Sequence, residues 1–153
     1  MVKSYRGEIR ETPKESETPA ILVSDHMATK LTTFNPDQSI FEVIDTLLSK
    51  RISGGPVVNQ EGEMVGVISE GDCLKQVVKG KYDNHPNLAG KVSDYMATNI
   101  TTISPDTNIF EAAKMFLNHR LRRFPVVRDG KIIGQISQKD IMRAVTKIKS
   151  STW

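Results

Sequence analysis

The chain has 153 residues, 38% of them hydrophobic and 25% charged, with a net charge of +3 and a pI near 9.0. That balance is ordinary for a soluble globular protein of one domain or two very small ones. No apolar run nears the ~18 residues of a membrane span, the single Cys73 excludes an internal disulfide, and 6% aromatic residues leave few stacking platforms for single-stranded nucleic acid. The opening MVKSYRGEIR lacks a signal-peptide core, so the expected compartment is the cytoplasm.

Residues 1–20 are rich in Glu, Lys, Thr and Pro and poor in apolar residues, which predicts a mobile arm. Beyond it the chain writes one pattern twice. Val23–Val58 and Val92–Val127 align without a gap and about half of their positions are identical. A one-residue deletion carries the match through GVISEGD (Gly66–Asp72) and GQISQKD (Gly134–Asp140). The expected division is an arm at 1–20, a first repeat at 21–78, a Gly-, Pro- and Asn-rich linker at 79–91, a second repeat at 92–149 and a tail at 150–153. A ~60-residue domain buries only about 60% of its unfolded surface, so the two copies are expected to pack together and share one core.

In the first repeat, Ser24-Asp25 predicts the cap of a one-turn helix through Met27, and Leu31–Phe34 a short strand. Ser39-x-x-Glu42 is a capping box, in which each side chain satisfies a backbone N–H that the helix start would orphan; Asn108-x-x-Glu111 repeats it. The helix that follows carries Ile40, Phe41, Val43, Ile44, Leu47 and Leu48, and its counterpart Ile109, Phe110, Ala112, Ala113, Phe116 and Leu117. So broad an apolar face has two readings: all intramolecular core, or part of it a homodimer interface. Pro56-Val57-Val58 then begins a strand, Glu61-Gly62 turns it, Met64–Ile68 returns it, and a last helix starts at Ser69. Each repeat thus reads strand-helix-strand-strand-helix, an α/β or α+β architecture.

A tandem of such units, with Asp-x-Met-Ala-Thr near the start, Pro-Val-Val on the middle strand and Gly-x-Ile-Ser-x-x-Asp at the end of both, resembles a pair of cystathionine-β-synthase (CBS) domains. The resemblance covers roughly Val23 to Ile148. It implies two β-α-β-β-α repeats around a pseudo-two-fold axis, dimerisation into a flat disc, and two clefts for adenosine-containing ligands. It further implies that Asp72 and Asp140 hold ribose hydroxyls and that Ser69 and Ser137 help hold ribose or phosphate. Ser53, Gly54, Gly55 and Pro56, with Arg122, Arg123, Phe124 and Pro125, would line the adenine and phosphate ends. Thr32, Thr33, Thr101 and Thr102 match the first-strand position.

The residue chemistry is compatible with those roles. A carboxylate offers two acceptor oxygens to a vicinal diol, and a helix N-terminus at Ser69 or Ser137 favours phosphate. The same spacing, Ser69-x-x-Asp72 and Ser137-x-x-Asp140, also fits a capping box in which the acid folds back onto its own helix, and both readings stand. The copies differ before the middle strand. His119, Arg120, Arg122 and Arg123 crowd one copy, serving either the helix dipole or ligand phosphates, while Gly54 and Gly55 in the other would admit a close backbone approach. Unequal clefts are therefore expected.

No Ser/His/Asp set, carboxylate pair or metal-ligand spacing emerges, and Cys73 aligns with the helical core position Ile141. The expected function is a non-catalytic regulatory module, requiring no cofactor or metal, that binds AMP, ADP, ATP or S-adenosyl-methionine and signals to an effector protein. The rivals are an interaction scaffold with vestigial clefts and, less favoured, a nucleic-acid binder built on the arginine cluster.

Overall fold

The structure, a computed structural model, describes residues 21–82 and 88–152. The expected arm at 1–20, part of the expected linker and Trp153 lie outside the described residues. The first repeat forms α1 (Val23–His26), α2 (Ile40–Lys50), β1 (Gly54–Val58), β2 (Met64–Ser69) and α3 (Glu70–Tyr82). The second forms α4 (Val92–Tyr95), α5 (Ile109–His119), β3 (Arg123–Arg128), β4 (Lys131–Ser137) and α6 (Gln138–Thr152).

Local chemistry accounts for most of these ends. At α2 the capping box is complete: Ser39 Oγ accepts from the Glu42 N–H at 3.1 Å, and Glu42 Oε1 accepts from the Ser39 N–H at 3.1 Å. At α5 it is half made. Asn108 Oδ1 accepts from the Phe110 N–H at 2.7 Å, and Glu111 pairs instead with Lys114. The α1 cap moves from the expected Ser24 to Leu22, whose N–H donates to the Asp25 carboxylate at 3.1 Å. Both α2 and α5 stop at an arginine in the left-handed region, Arg51 at φ 56° and Arg120 at φ 55°.

Each repeat pairs its middle strands antiparallel, β1 with β2 and β3 with β4. The expected first strand shrinks to one residue per copy. Phe34 bridges Val57 in parallel, its N–H donating to Pro56 O at 2.9 Å and its carbonyl accepting from the Val58 N–H at 2.8 Å; Ile103 does the same beside Val126. Pro36 and Pro105, two residues on, lack the N–H that would continue the ladder.

The fourth position in each sheet comes from the other copy. Ala28 exchanges two backbone hydrogen bonds with Gln135 of β4 (2.8 and 2.9 Å), and Ala97 exchanges two with Val67 of β2 (both 2.9 Å). This exchange explains the glycine of the repeated frame. A Cβ on Gly66 would lie 2.6 Å from Met96 Sδ and 2.9 Å from Ala97 O, and one on Gly134 would lie 2.5 Å from Met27 Sδ and 2.9 Å from Ala28 O. Asp-x-Met-Ala-Thr of one repeat and Gly-x-Ile-Ser of the other are the two halves of a single contact.

The expectation of one shared core is corrected to two. Val23 of α1 packs with the second repeat's Ile103, Ile109, Phe124 and Ile136, while Val92 of α4 packs with the first repeat's Phe34, Ile40, Val57 and Ile68. Sharing occurs by exchange of the short helices. Each exchanged valine is fully buried, which contributes about 1.5–3 kcal/mol relative to exposure. The two cores are filled differently at aligned positions. Gly55 leaves the space that the Phe34 ring enters, 3.0 Å from where a Cβ would be, whereas the second core holds Ile103 and Phe124 at those two positions.

Candidate functional site

The two repeats together wall one cleft of about 500 Å³. The first repeat contributes Ser53–Pro56 where β1 begins and Val67–Ser69 where β2 ends. The second contributes Ala97 and Asn99–Thr101 after α4, His119 at the end of α5, Leu121–Arg123 leading into β3, and Pro125 and Gln135 from the hairpin. The exchanged bridge between Ala97 and Val67 lies in its wall, so the cleft exists only while the exchange holds.

Of the residues expected at a site, Ser53, Gly54, Gly55, Pro56, Ser69, Thr101, Arg122, Arg123 and Pro125 line this cleft. Thr32, Thr33, Thr102, Ser137, Asp72, Asp140 and Phe124 do not line it. Phe124 is a correction: it is fully buried against Phe116, with ring centroids 4.5 Å apart. The cause is strand alternation, which turns Arg123 and Pro125 to the cleft and their intervening neighbour to the core. Gly54 and Gly55 do line the cleft, but their bareness answers to the fold. Cβ atoms at Gly54 and Gly55 would meet Ile68 O at 2.6 Å and Thr32 O at 2.8 Å, so the fold itself requires their bareness.

Both aspartates fold back as caps. Asp72 Oδ2 accepts from the Ser69 N–H at 2.9 Å and from its hydroxyl at 3.0 Å; Asp140 Oδ2 accepts from the Ser137 N–H at 2.9 Å. The serine hydroxyls reciprocate, accepting from the Asp72 N–H at 3.3 Å and the Asp140 N–H at 3.1 Å. Each remaining carboxylate oxygen faces an exposed cation one turn on, Lys75 at 3.7 Å and Arg143 at 3.3 Å.

Val67, Ile68, Ala97, Asn99, Ile100, Leu121 and Gln135 line the cleft without having been expected there, and His119 was expected only as part of a basic cluster. The signal for two of them was present. In Gly66-Val67-Ile68 and Gly134-Gln135-Ile136 the outer members are buried, so alternation sends the middle one to the opposite face.

The cleft is cationic. Among the described residues its lining includes Arg122, Arg123 and His119 and no Asp or Glu. The backbone under the arginines is held by the start of α6: the Gln138 N–H donates to Arg122 O at 3.1 Å, and its side chain donates to Leu121 O at 2.9 Å. Cys73 lies in the core at 3% exposure, where burial pushes its thiol up and Asp72 and Glu70 add in the same direction. It stays protonated at neutral pH, as a buried core thiol does.

Two α+β repeats that exchange short helices and wall a common cleft define a paired-repeat module, with no helix among the described residues long and apolar enough to cross a membrane. The CBS-domain family model matches residues 23–79 and 92–147, and the chain belongs to the CBS-domain family as a tandem pair. It is 29% identical to the uncharacterised protein MJ1426 of Methanocaldococcus jannaschii, over 82% of this chain and 91% of that one. It is 30% identical to the chloroplastic CBS domain-containing protein CBSX2 of Arabidopsis thaliana, over 85% of this chain and 66% of that protein. The crystal structure of CBSX2 in complex with AMP superposes with a TM-score of 0.73 at 29% identity, covering 85% of this chain and 99% of that one. The CBS pair of protein MJ0100, solved with 5′-methylthioadenosine and S-adenosyl-L-methionine, shares the fold at 24% identity with a TM-score of 0.68, over 85% of this chain and 99% of that one.

Proposed function

We propose that the chain is a non-catalytic regulatory module, working in the cytoplasm, that takes an adenosine-containing ligand into the cleft between its repeats and passes the change to an effector protein. The cleft built from both repeats carries this reading. A ligand touching both walls gains its full set of contacts only at one angle between them, and only such differential contacts shift an equilibrium. The volume, about 500 Å³, lies in the range of small-molecule sites. The AMP bound by CBSX2, a relative that shares the fold along most of this chain, supports an adenosine-containing ligand. The ribose meets Ser69 and Thr101, and Asp72 or Asp140 joins it by releasing its exposed i,i+3 cation, a pair of the kind worth about 0–1 kcal/mol.

A thermal-shift panel of AMP, ADP, ATP, S-adenosyl-methionine and NADH tests this. A ligand at 100 times its Kd stabilises by about 2.7 kcal/mol, a shift of several degrees. Asp72→Ala and Asp140→Ala should each lower the unliganded Tm, since losing such a cap costs about 1 kcal/mol. They should also shrink the ligand-induced shift. An undiminished shift would remove the aspartates from the site while leaving the module reading intact. No response to any compound would favour the scaffold.

The module is further proposed to form a homodimer through α2 and α5. Phe41, Leu48, Phe110 and Leu117 are 58%, 74%, 50% and 81% exposed, two matched pairs left uncovered among the described residues. The variant Leu48→Glu/Leu117→Glu should sediment as a folded monomer where the parent sediments as a dimer. A parent already monomeric at high concentration would dismiss the interface.

A further inference from the structure

The outward stripes of α2 and α5 match in their large apolar residues and differ in charge between them. Phe41 aligns with Phe110 and Leu48 with Leu117, but the position between them is Asp45 in the first repeat and Lys114 in the second. Both are exposed, and each lies four residues after the phenylalanine and three before the leucine, a spacing that puts all three on one helix face. Each is also the sixth residue of an 11-residue helix and so stands at its midpoint.

Nothing in α2 uses Asp45. No cation lies three or four residues away on either side, and Glu42, three residues before it, is a second negative charge. Among the described residues Asp45 forms no ion pair, and aspartate is a poor helix-interior residue away from the first turn. Lys114 is held only loosely, by Glu111 at 3.7 Å with both side chains exposed. One repeat thus carries an unpaired carboxylate in the middle of its apolar stripe, and the other carries an ammonium at the same place.

Two copies of the chain can meet through these faces in two ways. Either each repeat faces its own counterpart, or the first repeat of each copy faces the second repeat of the other. The apolar residues do not choose, since both helices present the same pair. The flanking helices do not choose either, because Lys75 and Lys79 of α3 align with Arg143 and Lys147 of α6, charges of one sign. Helices crossing at their centres bring their midpoints together whichever way they run, so the choice falls to positions 45 and 114. Like facing like sets carboxylate against carboxylate and ammonium against ammonium; unlike facing unlike makes two ion pairs. Interfacial charge acts in this way on orientation more than on affinity.

Resting on the homodimer reading above, we propose that the occupant of this face is a second copy docked head to tail, with Asp45 of each copy paired to Lys114 of the other.

Sedimentation of the full chain gives the first test. Asp45→Lys and Lys114→Asp should each raise the dimer dissociation constant roughly tenfold, and Asp45→Lys/Lys114→Asp should return it to the parent value. Mild oxidation of cysteine variants reads the geometry, with the buried Cys73 present in all of them as an internal control. Asp45→Cys mixed with Lys114→Cys should yield a covalent dimer, and neither variant alone should. Self-crosslinking of either variant alone, or single reversals that dimerise as tightly as the parent, would overturn the head-to-tail docking while the homodimer survives. So would a dimeric parent whose cysteine variants crosslink in no combination. A parent that stays monomeric at high concentration would remove the homodimer and this docking with it.

Discussion

Phe124→Ala is expected to cost about 3–5 kcal/mol, as emptying a well-packed aromatic site generally does. The ring is fully buried, lies 4.5 Å from Phe116 centroid to centroid, and has the His119 ring edge-on at 6.0 Å. A domain of this size is stable by only about 5–15 kcal/mol, so the variant should be partly unfolded at ambient temperature or melt far below the parent. Urea unfolding at fixed protein concentration measures this as a fall in midpoint with an unchanged slope. Arg123→Ala, one residue earlier and exposed, should stay within about 0.5 kcal/mol of the parent. The pair of results separates two neighbours on one strand: the phenylalanine holds the second core, and the arginine, in the cleft wall, holds none of it. A Phe124→Ala protein within 1 kcal/mol of the parent would contradict the burial described above.

The second large effect is expected from adding one methyl group to the glycine of the repeated frame. In Gly66→Ala and Gly134→Ala the new Cβ falls within 2.6 and 2.5 Å of a methionine sulfur. The sulfur can swing aside, but the carbonyls of Ala97 and Ala28, each 2.9 Å away, belong to the backbone bridges that join the repeats. Overpacking of this kind costs about 1–3 kcal/mol. The two sites share no partner, so their costs should add. Neither glycine has a positive φ, so the penalty is contact and not backbone strain. Gly71→Ala is the control: its Cβ would meet nothing closer than Ser69 Oγ at 3.7 Å in the first turn of α3, and the variant should hold or gain stability. Because the bridges form the cleft wall, Gly66→Ala should weaken ligand binding as well as lower Tm. Unchanged melting of both frame variants would argue that the exchanged contacts are loose.

Much of this architecture was readable along the chain. Ser39 and Glu42 meet as a capping box because that device is confined to four residues. The hairpin turns hold Gly62 at φ 84° and Gly130 at φ 80° because those backbone angles favour glycine, and the repeat itself pointed to a CBS pair. The surplus apolar residues on α2 and α5 were visible too, as was the concentration of arginine in one copy. Local reading left both options open where two chemistries share one spacing. Ser69-x-x-Asp72 reads equally as a cap or as a ribose clamp, and the carboxylate is observed on its own helix start. Phe124 stood in a stretch expected to line a ligand, and only its place in the strand's alternation sent it inward.

By itself the amino-acid order determined the periodicities, the turns, the caps and the duplication, since each depends on residues within about a turn of helix or a pair of strands. Only the tertiary structure decided that the short helices change places, that there are two cores and not one, and that the arginines stand in a cleft wall built by both repeats. Those outcomes rest on single-residue bridges such as Ala28 with Gln135 and Ala97 with Val67, whose partners are distant in sequence and whose pairing leaves no local period to read.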